Sequence, residues 1–359
     1  MGRPCGGIRT GRSPEWSKRA EAPPQALWEA ADSKADGSLG QLLGYHYLWN
    51  FMPRLWGTEE QRDRWEPLSA ENRWFWGAAV NPRDADLVVR DVGDELVFSG
   101  RKFFSTGGRV SDVVVLEGVV VDETGQPTEK RVFGLVRSDD PGLVRNDDWD
   151  NMGQRLTESG SVEVNDVRVP WRDALGYTDK VQVVPAYATI TTPIHQLVFV
   201  NMYLGIAQGA LAAAKRYTNE RTRPWALAEG VESANRDPYI LSTYGELSAS
   251  LQATEAFVDR AVEEMQGAHD APELIDAEQR GKLEVLVAAA KIQASKVALG
   301  VTSRAFEVMG ARATASSLGF DRYWRDVRTH TLHDPIAYKL REVGDFELNG
   351  RLPEPGWYS

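Results

Sequence analysis

The chain has 359 residues, of which 42% are hydrophobic and 26% charged, a composition typical of folded globular proteins. Its 41 Lys and Arg against 52 Asp and Glu give a net charge of −11. This acidic balance argues against non-specific nucleic-acid binding, which depends on clustered Lys and Arg. The single cysteine, Cys5, excludes an internal disulfide and a cysteine-based metal cluster, and it is compatible with a reducing compartment.

The length predicts two or three domains, at about 150 residues each. No segment reaches the roughly 18 consecutive apolar residues of a membrane span. The most apolar run, residues 283–301, is interrupted by charged and amide side chains. Basic residues near the start of the chain are not followed by an apolar segment, so they do not form a secretory signal. These observations predict a soluble enzyme as the first hypothesis.

The first part of the chain predicts loop and then helix. Residues 1–26 are rich in Gly, Pro, Arg and Ser without apolar periodicity, and they are predicted to be loop or disordered. Residues 27–72 carry apolar residues at helical spacing. Within them, Thr58 and Gln61 have the spacing of a capping box at the start of a short helix.

The remaining chain predicts a β region followed by helices. Residues 73–175 contain short segments rich in Val and Phe that are separated by turn residues, which predicts an antiparallel β domain with hairpins. Residues 176–359 carry helical patterns and predict a helical bundle. Those patterns cover residues 193–219, 237–268, 273–309, 320–329 and 335–343. The predicted fold class is α+β.

Common catalytic motifs are missing from the sequence. It contains no G-x-G-x-x-G, no P-loop, no G-x-S-x-G and no H-E-x-x-H. Among its five histidines, His330 and His333 are three residues apart and would share one face of a helix. A metal site would need further ligands, and no second cluster offers them. The pair could instead stabilise a helix end, or serve in acid–base chemistry or cofactor contact.

Three other features could bind a ligand. The segment 101–108 follows a β-like run, and its Ser and Thr hydroxyls and flexible glycines could bind the polar edge of a planar ligand, although a strand ending in a turn is the simpler interpretation. Trp149 could stack on a ring system or pack in the core. Arg223 and Arg312 could each clamp a phosphate or form a surface ion pair.

Several segments together resemble the acyl-CoA dehydrogenase fold, and more closely its monooxygenase branch, the dibenzothiophene monooxygenases of sulfur-specific desulfurisation. The resemblance runs from about residue 35 to the C-terminus. It implies N-terminal helices, a central antiparallel β domain and a C-terminal helical bundle. The matching segments are residues 35–46, Asn146-Asp147-Asp148-Trp149, residues 157–161, residues 193–225, Asp237-Pro238-Tyr239, and residues 319–335 with the pattern His330-x-x-His333-Asp334-Pro335.

The resemblance implies a two-component monooxygenase. Reduced FMN (FMNH2) would come from a separate NADH-dependent flavin reductase, and O2 would add to flavin C4a. The resulting C4a-hydroperoxyflavin would oxygenate a small aromatic substrate or a sulfur or nitrogen atom. FAD could replace FMN. The enzyme is expected to be a cytoplasmic homotetramer that binds neither nucleic acid nor membrane.

The resemblance also implies the roles of individual residues, with no metal. The residues expected to take part in catalysis are His46, Thr106, His330 and His333. The residues expected to contact the flavin are Trp76, Ala78, Phe104, Ser105, Thr106, Trp149, Arg223 and Arg312. Arg312 would bind the phosphate end, and Arg223 would do so from a neighbouring subunit. Ala78 and Thr106 stand where the family has asparagine and serine, which implies a more apolar and differently shaped substrate pocket.

Two alternatives remain open. One is an FAD-dependent oxidoreductase of the acyl-CoA dehydrogenase type, although no catalytic Glu can be placed at a matching position. The other is a truncated, inactive paralogue with only an oligomeric structural role. It remains open because the first helices of the family's N-terminal domain have no counterpart here, so that the N-terminal helical part is expected to be truncated.

Overall fold

The computed structural model describes residues 31–359 apart from residues 85 and 184. The predicted loop or disorder over residues 1–26 therefore lies outside the described residues. The helices that precede the sheet are α1 (Ala31–Ala35), α2 (Gly37–Asn50), α3 (Met52–Leu55) and α4 (Glu59–Asn72). At the start of α4 the Gln61 N–H donates to the Thr58 hydroxyl at 3.2 Å, and the Thr58 N–H donates to the Gln61 side chain at 3.0 Å. The predicted capping box is confirmed.

The sheet has seven strands and is followed by a small separate hairpin. The seven strands are β1 (Trp76–Ala79), β2 (Val88–Asp91), β3 (Glu95–Lys102), β4 (Val113–Val121), β5 (Pro127–Arg137), β6 (Leu143–Arg145) and β7 (Val162–Pro170). The hairpin consists of β8 (Tyr177–Thr178) and β9 (Val181–Gln182).

The prediction of a wholly antiparallel β domain is wrong along one edge of β4. Both β1 and β2 pair with β4 in parallel, whereas the other strand pairs are antiparallel. The physical reason is the loop after β3, which returns the chain to the start of β1. There the Asp112 N–H donates to the Phe75 carbonyl at 2.7 Å, so β4 starts beside β1 and runs in the same direction. This returning loop contains residues 103–108.

The helices of the C-terminal part occur where helical spacing predicts them. They are α5 (Thr191–Glu220), α6 (Pro238–Asp270), α7 (Ala277–Met309), α8 (Asp321–His330) and α9 (Ile336–Asn349). Helices α5 and α7 pack along each other, and α8 crosses back over α5.

One apolar core joins the N-terminal helices, one face of the sheet and the helices α5 to α7. Two helical stretches, Ala186–Glu220 and Ala277–Met309, are long and apolar enough to cross a membrane by length and composition. In the most apolar window of each stretch, 78% and 56% of the residues, respectively, are buried inside the protein. Core packing therefore accounts for this apolar character. Because the core is continuous, the division into residues 27–72, 73–175 and 176–359 stays a prediction about domains.

Candidate functional site

The loop after β3 is held against α2 by a hydroxyl at its centre. Thr106 is 5% exposed, and its Oγ1 accepts a hydrogen bond from Gln41 Nε2 at 3.2 Å. The same oxygen lies 2.9 Å from Ser159 Oγ. The Ser105 N–H donates to the Gly160 carbonyl at 3.1 Å, which fixes the loop to the segment before β7. Thr106 therefore lies where α2, the loop and this segment meet.

An exposed aromatic pair borders the same loop. Phe104 has φ +57°, a left-handed conformation that is unusual for a residue with a large side chain. Its ring is 65% exposed and meets the Trp149 ring edge-on, with 6.0 Å between centroids. Trp149 Nε1 donates to the Gln154 carbonyl at 2.7 Å, so the indole is fixed with its ring beside the loop. The structure thus brings the expected flavin contacts Phe104, Ser105, Thr106 and Trp149 together.

The loop suits the polar edge of a planar cofactor. Ser105 Oγ is buried and has no hydrogen-bond partner among the described residues, and the same holds for Gln41 Oε1. A buried polar atom without a partner costs free energy, so both atoms favour a ligand that offers complementary groups. The pyrimidine side of a flavin offers N–H and C=O groups of this kind. These residues therefore fit the expected flavin.

His46 on α2 is held as a neutral hydrogen-bond donor. The Trp76 N–H donates to His46 Nδ1 at 3.0 Å, and the imidazole stacks on Phe75 with 4.6 Å between centroids. Burial lowers the pKa of His46 to about 4, against the opposing charge of Asp112. Because Nδ1 accepts, the proton of the neutral ring is on Nε2. His46 is thus suited to donate a hydrogen bond, and its expected part in catalysis stays a prediction.

The structure does not bring the Trp76 indole into this group. Trp76 is 1% exposed, its Nε1 donates to Ser69 Oγ at 2.8 Å, and its ring packs edge-on against Trp65. Only its backbone N–H serves the site, through His46. Ala78 is buried in the core, and its N–H donates to the Thr106 carbonyl at 3.4 Å, so it borders the loop through its backbone.

His330 and His333 lie at the end of α8. His330 is buried, and its Nδ1 lies 2.8 Å from the Tyr203 hydroxyl. Burial lowers the pKa of His330 well below its ordinary value, so the ring is neutral and charge–dipole stabilisation of the helix end does not explain it. The His333 ring stacks on His330 with 5.6 Å between centroids, and the His333 side chain is 43% exposed.

A fourth histidine, in addition to His46, His330 and His333, was missed by the sequence analysis. His195 on α5 packs edge-on against Trp49, and its Nε2 is buried without a partner among the residues described. Burial lowers the pKa of His195 to about 3, and the charge of His333 adds to the effect. A lone histidine in an apolar helix gives no spacing signal, so no pattern in the sequence could have revealed it.

A buried ion pair beside His333 was missed as well. Asp334 Oδ1 lies 3.1 Å from His333 Nδ1 and also accepts a hydrogen bond from Lys291 Nζ. Lys291 Nζ donates in addition to Gln196 Oε1. The sequence does hold one signal for this pair, since Lys291 interrupts the apolar run of α7 and a buried charge needs a partner.

Metal ligation finds no support in the geometry of the histidines. In the part of the chain that the structure describes, no group of three or more His, Cys, Asp or Glu side chains converges as a metal site. The rings of His330 and His333 are nearly parallel, 11° apart, and stack on each other.

Arg223 and Arg312 lie at the other end of α5. The Thr222 hydroxyl donates to the Met309 carbonyl at 3.1 Å, which places both arginine segments at one end of the bundle. Tyr203, which contacts His330, precedes the end of α5 by 17 residues, or about 25 Å of helix. The structure therefore does not bring either arginine to the histidines within one chain.

Comparisons with known proteins find relatives over most of the chain. The family described as acyl-CoA dehydrogenase, C-terminal domain, matches residues 197–337. Dibenzothiophene monooxygenase from Mycolicibacterium goodii is 40% identical over 337 residues, which cover 91% of this chain and 80% of the relative.

Two solved structures share the fold. TdsC from a Paenibacillus species, in complex with FMN and indole, is 39% identical, with a TM-score of 0.87 over 96% of this chain and 88% of that one. The methanesulfinate monooxygenase MsuC from Pseudomonas fluorescens is 36% identical, with a TM-score of 0.86 over 97% and 93% of the two chains. These matches confirm the expected fold, and the chain belongs to the acyl-CoA dehydrogenase family, in the branch that contains the dibenzothiophene monooxygenases.

Proposed function

We propose that the chain is a monooxygenase that uses reduced FMN and O2 to oxygenate a small substrate. The observation that carries this proposal is the juxtaposition of Thr106 with the unpartnered Ser105 and Gln41 atoms, in a chain 39% identical to a protein whose structure contains FMN and indole. Reduced FMN, when bound, supplies the electrons that activate O2, and one oxygen atom of O2 passes to the substrate.

The residues of the loop would hold the flavin ring. Phe104 and Trp149 offer aromatic surface beside it, and Ser105 and Gln41 offer the polar atoms that lack partners. Thr106 Oγ1 already accepts the Gln41 N–H, so its own proton is available to Ser159 Oγ or to a ligand.

The histidines would divide two tasks. His46 would donate its Nε2–H, since Nδ1 is occupied by the Trp76 N–H and the ring stays neutral. His333 would move the proton that the reaction requires, because it is the more exposed of the two stacked imidazoles and can exchange protons with the substrate side. His330 would hold the His333 ring in place.

The expected substrate class is a neutral aromatic heterocycle that contains sulfur or nitrogen, by similarity to the dibenzothiophene monooxygenase and to TdsC with bound indole. Tyr45 stacks on Phe199, and the Phe199 ring lies 4.9 Å from that of His333. Burial lowers the pKa of His195 to about 3, so this neighbour adds no charge near neutral pH. Tyr45 and Phe199 are buried, so they support the exposed His333 ring from behind.

The proposed assembly and partners follow from the same chemistry. A separate flavin reductase would supply FMNH2 by diffusion in the cytoplasm. Arg223 lies in the loop after α5, at one end of the helical bundle, and from there it would bind the phosphate end of a flavin held by a neighbouring subunit. We therefore propose a homotetramer in which subunits pack bundle to bundle.

Aerobic turnover tests the proposed function. The protein would be incubated with NADH, a flavin reductase and FMN, and presented separately with dibenzothiophene, indole and methanesulfinate. A parallel reaction would contain FAD and butyryl-CoA. The expected result is a product with one added oxygen atom from a heterocycle and no oxidation of the acyl-CoA. Acyl-CoA oxidation would favour the dehydrogenase alternative, and the lack of any product would favour the inactive paralogue.

Substitution of His333 separates catalysis from binding. His333→Ala is expected to lower product formation by about 10²–10⁴-fold, the usual contribution of a general acid or base, with FMN affinity nearly unchanged. His269→Ala is the matched control, because that ring contacts Tyr187 and Phe51 on another side of the bundle. Equal product formation by the two variants would contradict the role of His333.

A further inference from the structure

A buried charged pair lies directly behind the exposed imidazole of His333. One oxygen of Asp334, Oδ1, is 3.1 Å from His333 Nδ1 and also accepts from Lys291 Nζ. The side chains of Asp334 and Lys291 are 6% and 1% exposed. Lys291 Nζ is held further by Gln196 Oε1. Asp334 and Lys291 are thus inaccessible to a ligand, yet both act on the exposed side chain of His333.

We propose that Asp334 and Lys291 are positioning residues for His333. The Asp334 carboxylate accepts a hydrogen bond from His333 Nδ1–H and so leaves Nε2 for the substrate. The positive charge of Lys291 weakens the tendency of this carboxylate to keep a second proton on the ring. The inference rests on the proposed function of the protein, in which His333 moves a proton. It adds two buried residues that touch neither substrate nor flavin.

The charge states of the pair support this geometry. Burial alone would raise the pKa of Asp334, but the hydrogen bond from His333 and the charge of Lys291 hold it well below the ordinary value. Burial lowers the pKa of Lys291 to about 8, and the charge of Asp334 opposes that effect. Both groups are therefore charged near neutral pH. An ionised carboxylate next to an imidazole fixes which ring nitrogen carries the proton.

The other titratable groups that face His333 are neutral. His330 stacks on it and His195 lies on the neighbouring α5, and burial lowers the pKa of both. Burial raises the pKa of the Tyr45 and Tyr203 hydroxyls, and the charge of Asp334 raises it further, so both hydroxyls are neutral.

A second ion pair lies beyond Lys291. Glu284 and Lys339, whose charges act on Lys291, pair with each other at 2.6 Å. The charges nearest to His333 are thus those of Asp334 and Lys291, and they have opposite signs.

Because Lys291 and Asp334 have opposite charges, removing either one should shift the protonation of His333 in opposite directions. Lys291→Met leaves the Asp334 carboxylate unopposed, so a proton is held on His333 to higher pH. Asp334→Asn leaves the ammonium unopposed, so the proton is lost at lower pH. The double variant K291M/D334N removes both charges, and it protects the test against misfolding because neutral side chains often replace a buried ion pair without loss of stability.

Carbethoxylation of the flavin-free protein by diethyl pyrocarbonate, followed at His333 by mass spectrometry across pH, measures these effects without turnover. The pH midpoint of the reaction is expected to rise by about one unit in Lys291→Met and to fall by about one unit in Asp334→Asn. The double variant should lie between them. Lys296→Met is the control, since Lys296 is exposed on the same helix α7, and it should leave the midpoint unchanged.

Product formation completes the test. All three pair variants are expected to lose at least tenfold in kcat while FMN affinity stays unchanged. Midpoints that do not move, or that move in the same direction in both single variants, would overturn the proposal. So would a double variant with the parent midpoint and the parent kcat. If the midpoints shift as expected but the parent protein oxygenates no substrate, the proposed function fails and the positioning of His333 stands.

Discussion

Substitution of His46 by Asn should remove a defined part of the acid sensitivity of the fold. In the native protein the Trp76 N–H donates to His46 Nδ1, and burial lowers the pKa of His46 to about 4. The unfolded chain, with an ordinary histidine pKa near 6.5, therefore binds a proton more readily than the folded protein between these values. Stability from the neutral His46 is complete above about pH 6.5 and is lost as the pH falls toward 4.

The magnitude follows from the size of the shift. A pKa lowered from 6.5 to about 4, at about 1.4 kcal/mol per unit, corresponds to about 3 kcal/mol over the whole window. About 2 kcal/mol of this is lost between pH 7 and pH 4.5. An Asn side chain keeps an acceptor for the Trp76 N–H but does not titrate, so His46→Asn should lack this loss. His46→Ala should cost about 1–3 kcal/mol at every pH, because the N–H then has no partner.

Urea denaturation at fixed protein concentration, at pH 7 and at about pH 4.5, measures the difference. Buried His195 and His330 add acid sensitivity to parent and variant alike, so the comparison isolates His46. The free energy of unfolding of the parent should fall by about 2 kcal/mol more than that of His46→Asn. An equal fall in both proteins would refute the reasoning that the fold holds His46 as a neutral donor.

The other predictions concern the sheet, α8 and the flavin. Lys102→Met should lower the free energy of unfolding by about 1–3 kcal/mol in urea, because Glu117 Oε2 loses its buried partner while Arg131 still pairs with Oε1. A loss below about 0.5 kcal/mol would contradict this. Burial raises the pKa of Asp326 to about 6, so its ionised form destabilises the fold as the pH rises from 3.8 toward 6. Asp326→Asn should therefore be more stable than the parent by about 1–3 kcal/mol at pH 7.5 and equally stable at pH 4. Equal stability of the two proteins at both pH values would contradict this expectation. Arg223→Ala should weaken FMN binding by about 1.5–3 kcal/mol, and the exposed neighbour Arg221→Ala should not; a stable monomer with normal FMN affinity would rule out the contact between subunits. In titrations, FMN should bind more tightly than FAD, and reduced FMN more tightly than oxidised FMN. Equal affinities would contradict the expected preference of the site for reduced FMN.

The order of helices, strands and helices could be predicted from the sequence because periodicity and caps are local. The capping box of Thr58 and Gln61 depends on residues three apart, and the long helices repeat an apolar face over many turns. The parallel pairing of β1 and β2 with β4 could not be predicted in the same way. It depends on the contact between Phe75 and Asp112, which are more than thirty residues apart, and no local pattern encodes that contact.

The candidate site was predictable to the extent that its parts are sequence motifs. The segment with Thr106 and the pair His330 and His333 have recognisable spacing, and the structure places each beside α2 or α5. The position of Lys291 in an apolar run indicates a buried partner, but that partner, Asp334, is 43 positions away, and only the packing of α8 against α7 identifies it. Trp76 shows the reverse case, because the resemblance implied a flavin contact, whereas its strand position directs the indole into the core.

A single-turnover reaction with isotopically labelled O2 tests the central claim most directly. Reduced FMN is mixed anaerobically with the protein and a heterocycle that is oxygenated in the aerobic turnover assay, and labelled O2 is then added. The account predicts one labelled oxygen atom in the organic product for each reduced FMN consumed, and a strong decrease in this incorporation in His333→Ala. Labelled oxygen found only in hydrogen peroxide or water, with the heterocycle recovered unchanged, would contradict a monooxygenase.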